Sequence, residues 1–477
     1  MVQRRSNGGG GKRQKGQVMP MTAILIVAVL LSLWAMYDSG QLMTERMKLQ
    51  NTADNVAYSG SALVARDLNY TAYTNRAMVA NQVAIGQLVG LSSWAVMGKQ
   101  LASNLNLIAK VAYLIPPLGA FVDRVTMALK QAASSLSNAT DRIASLVIEG
   151  NNFLIPALSK SQSAFHLGMS AALTSFSEDI LVANDPEAYQ ILPEWAAPAQ
   201  AFINWKRQVG RYNNPQVSGL ESTTNRRFDE FSDIVGQSRD PFTARRSYEM
   251  GVPMSGSIWA GGWSTQKRGG SDFRRKERAN GTYQWEWSAM DTVGFDIRLE
   301  TPWGDCIVCK NFPVGWGAAH ALEGRGSYYN YQPSGDWGGA WDNRDAARLG
   351  RIWYSNHNLK RTSGLQAFNA FEYDDKSNTY GPALIYLLRK DNDSMSLTAD
   401  LGADGDSPLN TEAGDGFITS AAKGRPYYSR PTDLEQFARQ DGNFEYGNLY
   451  NPFWQPRLVK LNNSERVTMA TVAGLTP

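Results

Sequence analysis

Two thiols are the first residues to weigh for chemistry. Cys306 and Cys309 stand in WGDCIVCK and are the only cysteines of the chain. A CxxC pair can close a disulfide in an oxidising compartment, cycle as a redox dithiol, or supply half of a zinc site. The redox reading wants a tryptophan beside the first cysteine within a βαβ setting, and Trp303 is not adjacent to it. The zinc reading wants further ligands, and no second CxxC or paired histidine provides them. A structural disulfide, Cys306 to Cys309, closing a tight turn asks least of the rest of the chain.

Other reactive side chains are scattered. His166, His320 and His357 lie far apart, and none stands in a nucleophile motif. There is no GxSxG, since Pro253 occupies the first glycine position ahead of Ser255. GGGGKR misses the phosphate-loop spacing: Ser6 stands at the first glycine position, and Arg13 follows the lysine where Ser or Thr belongs. Acidic residues gather at Asp391–Ser396 and at Asp400, Asp404, Asp406, Glu412 and Asp415. Hard cations want several such oxygens. Solvated loops explain them equally well, so weak Ca²⁺ binding is the only inorganic partner left open.

The run Lys267–Arg278 holds six basic residues against Asp272 and Glu277, flanked by Trp259, Trp263, Trp285 and Trp287. Basic charge interleaved with aromatics suits single-stranded nucleic acid or acidic glycans. A solvated hairpin loop has the same composition. GRGSYYNYQPSGDWGGAWD reads either as a stacking surface for sugars or as an ordinary long loop. None of these groups requires a cofactor, and the expectation is a protein that is not an enzyme and has no nucleic-acid partner. A surface module for glycan or nucleic acid is the alternative.

The elements that would position these groups follow from composition. A chain of 477 residues implies two or three domains. Hydrophobic content of 43% and charged content of 19% are ordinary for a folded protein. A net charge of +3 predicts no dedicated polyanion partner. Up to about residue 235 the apolar residues keep a helical period. Breaks are expected at Pro116-Pro117, between blocks 118–149 and 153–183, and at Asp185-Pro186. Past Asp240-Pro241, glycine and aromatics rise, and nine of the 14 Trp fall between Trp259 and Trp353. SYEMGVPMSGSIWA, TYQWEWSAMDTVGFDIRLE, RIWYSN and ALIYLLRK read as strands there.

The expected fold class is α+β. A basic tail, 1–17, leads into a transmembrane helix, 18–37, and a helical stalk and bundle, 38–235. A β-rich Trp/Gly-rich domain, 241–420, follows. Residues 421–477 carry short helices (Thr432–Arg439, Ser464–Ala473) that pack back on the bundle.

The run Val18–Tyr37 holds no charge and is long enough to cross the ~30 Å hydrocarbon layer as a helix. Arg4, Arg5, Lys12, Arg13 and Lys15 precede it with no acid, so the N-terminus is expected in the cytoplasm and the bulk outside. Trp34 and Tyr37 suit the interface. A cleaved signal would need a shorter apolar region and small residues at the cut, where Ala35-Met36-Tyr37 stands. Beyond the span, Leu42, Leu49, Val56 and Leu63 recur every seven residues, with Ala53, Ala57 and Gly60 near the same face. Small residues beside a heptad stripe let another helix approach. The expected partner-helix contact is therefore Leu42, Leu49, Ala53, Val56, Gly60 and Leu63. Intramolecular core is the alternative, above all for the outer half.

GQVMP (Gly16–Pro20), the apolar span, SGQL (Ser39–Leu42) and ERMKLQNTADNVAYS (Glu45–Ser59) resemble the N-terminal segment of TadG-like Tad (Flp) pilus assembly proteins. ARDLNYTAYTNRAMVANQVAI (Ala65–Ile85) resembles the continuation in a proteobacterial branch of that group. The resemblance implies a single-pass bacterial inner-membrane protein with a periplasmic bulk, contacting lipid and working with pilin-like or minor pilin partners in a tip, priming or scaffold role. Prepilins of such systems carry Glu five residues after the processing glycine. That position here is Met21, so an intact N-terminus is expected. Asn392-x-Ser394-x-Ser396 resembles the metal motif of von Willebrand A domains, with Asn in place of the first Asp.

Overall fold

Helix α1 (Val18–Ala112) runs unbroken for 95 residues. Its one proline, Pro20, sits in the first turn, where no intrahelical partner is lost. Nothing else in this stretch interrupts the ladder before Pro116-Pro117, so the membrane span, the rod and the next helical block are one element. The structure is a computed structural model. It describes residues 18–112, 118–192, 196–213, 223–256, 259–277, 283–301, 303, 305–323, 336–356, 359–372, 379–391, 395, 416–431, 436, 439, 441 and 443–474.

Helix α2 (Leu118–Asn184) returns antiparallel along α1 for 67 residues and passes straight through Pro156. The break expected near residues 150–152 is absent. Proline costs a helix about 3 kcal/mol. Buried Ala144, Ile148 and Ile155, on both sides of the gap and up to the proline, offset that cost. Cross-links fix the pairing. Lys48 Nζ donates to Asp185 at 3.1 Å, Gln162 to Asn75 at 2.7 Å, and His166 pairs with Asp67 at 2.5 Å.

Past α2 come β1 (Tyr189–Gln190), α3 (Ala196–Gln208), β2 (Val209–Tyr212), α4 (Thr223–Gln237) and the turn α5 (Pro241–Ala244). Then β3 (Tyr248–Gly256), β4 (Trp259–Glu277), β5 (Tyr283–Glu300) and β6 (Cys306–Leu322) form an antiparallel meander in the order β3-β4-β5-β6. Trp287 of β5 stands opposite Phe273 of β4 and Ala321 of β6. A 3₁₀ turn (Trp337–Asp342) leads to α6 (Arg344–Asn356). The segment RIWYSN, expected as a strand, ends that helix. Helix formers in RDAARL and two fully buried alanines, Ala346 and Ala347, outweigh the β-propensity of Ile352 to Tyr354. The last elements are β7 (Phe368–Phe371), β8 (Leu384–Asp391), β9 (Phe417–Gly424), β10 (Tyr427–Tyr428), β11 (Trp454–Gln455) and α7 (Asn463–Val472). They give a β1-β8-β9 sheet and the pairs β2-β7 and β10-β11.

Two large cores line α1, and both mix helix with strand. The first joins Leu42–Leu68 of α1 to Leu173 and Leu181 of α2, Tyr386 and Leu388 of β8, Ile418 and Ala422 of β9, and Trp454. The second joins Met78–Val89 of α1 to Ile148 and Ile155 of α2, Phe228 and Phe231 of α4, and Trp285 and Trp287 of β5. The expected boundary between a helical bundle, 38–235, and a β domain, 241–420, therefore does not separate two cores. Small residues explain the close approach. A side chain at Gly317 of β6 would strike the α1 backbone at Ser93 and Met97.

Candidate functional site

The first turns of α1, through about Tyr37, are the site the fold leaves uncovered. Their apolar window has a mean hydropathy of 2.2, and none of it is buried against the rest of the chain. An exposed apolar helix of this length fits a bilayer and is unfavourable in water. Residues 1–17 lie outside the described residues.

The heptad stripe beyond it is placed differently from the expectation. Leu42, Leu49, Ala53, Val56 and Leu63 all lie in the first core. A side chain at Gly60 would stand 2.8 Å from Tyr386 Oη and 3.2 Å from Leu384. The stripe is thus covered by this chain's own β8, β9 and α2, and it offers no free face to a partner helix. Its small residues admit a sheet rather than a second helix. What stays exposed just past the span is Met43 and Met47.

A charged clamp sits where the covered part of α1 begins. Lys390, buried at the end of β8, donates to Glu45 at 2.8 Å and pairs with Glu187 at 2.8 Å and Asp185 at 3.3 Å. Asp185 also takes Lys48. Burial alone would lower the Lys390 pKa. The hydrogen bonds to Glu187 and Glu45 and the charge of Asp185 outweigh it and hold the ammonium above its usual range. The clamp joins α1, the end of α2 and the β1-β8-β9 sheet. Sequence reasoning missed it. The available signals were the turn at Asp185-Pro186 and the pair Arg389-Lys390 closing the apolar run ALIYLL.

Further out, Lys267, Arg268, Arg274 and Arg275 of the basic run each meet an acid of the same chain. Asp291, fully buried on β5, accepts from Ser93 Oγ of α1 at 2.7 Å and from Arg246 Nη2 at 2.8 Å, and it also pairs with Lys267. Burial would raise the Asp291 pKa, but the charges of Arg246 and Lys267 hold it below the usual carboxylate range. Arg268 pairs with Glu249 at 3.0 Å and Arg275 with Asp229 at 3.5 Å. Trp285 and Trp287 are buried under Phe273, not presented for stacking. A cleft of about 690 Å³ opens between α4 and β4, and its Arg239 and Arg274 face Asp272 of the same cleft. Among the described residues, Lys267, Arg268, Arg275, Trp285 and Trp287 are thus engaged by contacts within the chain. Trp259, Trp263, Lys276 and Arg278 have side chains outside the described residues.

The segment Ala65–Ile85 has a definite task. Asn69 brackets the backbone of Trp454, donating to its carbonyl at 2.9 Å and accepting from its N–H at 3.0 Å. Asn75 donates to the carbonyls of Asn369 and Leu449 at 2.9 and 2.8 Å. The C-terminal stretch is thereby tied to α1. His166 pairs with Asp67 and stacks on Trp205 at 4.4 Å. Burial raises the Asp67 pKa against the opposing pull of His166. His320 is buried on β6, and His357 lies outside the described residues.

Cys306 and Cys309 open β6, and their side chains lie outside the described residues. Outside them too lie the acidic cluster at Asp400–Asp415, most of Asp391–Ser396, the Gly/aromatic residues 324–335, and most of the expected helix Thr432–Arg439.

Residues 16–67 match the family described as Tad, Putative Flp pilus-assembly TadE/G-like. No curated protein and no solved structure matches the chain. The match takes in the exposed span, the stripe, Glu45 and Lys48.

Proposed function

We propose that this chain, whose N-terminal segment is TadE/G-like, is a membrane-anchored component of a Tad/Flp-type pilus assembly system. One observation carries the reading. The family segment is half exposed apolar helix and half core, so it anchors the chain and builds its body in one continuous α1. The five basic residues ahead of the span favour a cytoplasmic N-terminus, and the membrane is then the bacterial inner membrane with the bulk in the periplasm. The partners are pilin-like or minor pilin proteins of the same system. Because the stripe from Leu42 to Leu63 is occupied, docking near the membrane uses the embedded turns of α1 and the exposed Met43 and Met47. The role is mechanical, a tip, priming or scaffold part, and not enzymatic.

Val27→Asp tests the anchor in the full chain, expressed in a pilus-forming host that lacks its own copy. Carbonate extraction should release the variant or find none inserted, and pili should be lost. Normal pili with a soluble variant would sink the proposal. Met47→Glu tests docking: the protein should stay in the membrane at normal level while pili are lost.

A further inference from the structure

Among the described residues, nothing covers a heptad seam on the outer face of α2. Ile143, Gly150, Ala157, Ala164 and Ala171 recur every seven residues, and Leu146, Phe153, Lys160 and Leu167 recur three residues after each of the first four. All nine are exposed. Phe153 is 80% exposed, Leu167 71% and Leu146 70%. The opposite face of α2, with Ala144, Ile148 and Ile155, is buried in the chain. A helix that merely covers a core repeats its apolar residues at 3.6, whereas a strict seven-residue repeat follows another helix. Small residues at one heptad position let that helix approach closely, and large ones at the other supply the knobs.

Three occupants can be compared. Lipid is too far away. The pairs Asp67–His166 and Lys48–Asp185 place the seam beside α1 residues more than 20 positions past Tyr37, or at least ~30 Å beyond the span. A second copy fits poorly. Copies anchored in one membrane run parallel, and a closed two-fold pair of parallel helices is in register. That register stacks Lys160 on Lys160, like charges in an apolar seam. An antiparallel copy would put the two apolar spans at opposite ends. A different chain meets neither objection. Lys160 has no ion pair among the described residues, and a carboxylate from the occupant would complete it.

We propose that the outer face of α2 docks an amphipathic helix of a different protein, apolar at its heptad positions and carrying an Asp or Glu opposite Lys160. The exclusion of lipid and of a second copy rests on the anchoring proposed above; the seam itself does not.

The test places a photo-crosslinking amino acid at Phe153, at Leu167, and at Tyr73 on the exposed face of α1 as control, in the full chain in its native envelope. Both seam positions should give one adduct with another protein, absent at Tyr73, whose mapped peptide is a heptad-patterned helix with a carboxylate. Lys160→Glu should lower the adduct yield at Phe153 at least about tenfold. Reversing the mapped carboxylate to Lys should restore it. An adduct with a second copy, adducts with lipid alone, no adduct, or a yield indifferent to Lys160→Glu would each overturn the proposal. These residues are exposed, so protein level and thermal unfolding should not change. Failure of the pilus-assembly reading shows separately, as normal pili in a strain deleted for the chain.

Discussion

The indole of Trp287 on β5 rests directly on the α-carbon of Gly86 on α1. Any side chain at Gly86 would overlap the ring. Trp287 is fully buried, and its Nε1 donates to Gln82 Oε1 one helical turn away at 3.2 Å. Helix and meander are locked together by a missing side chain. Gly86→Leu should therefore cost about 1–3 kcal/mol by overpacking. Gly98 has nothing within 4 Å of a built Cβ, and Gly98→Ala should be neutral or stabilising. Urea unfolding of the two variants checks the contrast.

The stripe makes a second prediction. Gly60→Leu must displace Tyr386 and Leu384. Ala53→Leu adds volume to a filled core. Both should lower the amount of folded protein, again by about 1–3 kcal/mol each. If both variants accumulate and unfold like the natural chain yet make no pili, the stripe is a partner contact after all.

Asp291 predicts an acid dependence. Its folded pKa lies below the unfolded value of 3.8, so the unfolded chain binds the proton first as pH falls. The stabilisation is complete above the ordinary carboxylate range and is lost as pH drops through the folded value. Asp291→Asn leaves Arg246 and Lys267 buried with no counter-charge, a loss of about 3–5 kcal/mol. Unfolding followed from pH 7 to pH 3 should show a slope in the natural chain and a shallower one in the variant.

The clamp behaves in the opposite sense. Lys390 has a folded pKa above its unfolded value of 10.5, so its stabilisation is present below that value and lost as pH rises through the folded one. It is flat across neutral pH. Lys390→Met leaves Asp185 buried against Lys48 alone and exposes the contact to opening. Hydrogen exchange should quicken over residues 42–56 and 181–190 while the Met78–Val89 region keeps its protection.

Sequence alone determined what depends on local pattern. An uncharged run, the absence of proline from Met21 to Ala112, and a seven-residue period are all one-dimensional, and each dictates helix, length and face. They gave the span, the α+β class and the family segment. Sequence could not say what covers a helix face. The period of Leu42 to Leu63 is the same whether a partner helix or the chain's own β8 lies on it, and only residues more than 300 positions away decided for β8. Lys267 of the basic run looked free because Asp291, which pairs with it, and Ser93, which holds Asp291, lie on other elements of the chain. The α2 seam was hidden for the converse reason. Its apolar residues read as core until α1 was seen to occupy the other face. Tertiary structure decides such questions because burial is a property of pairs of surfaces, and one surface carries no mark of which partner it meets.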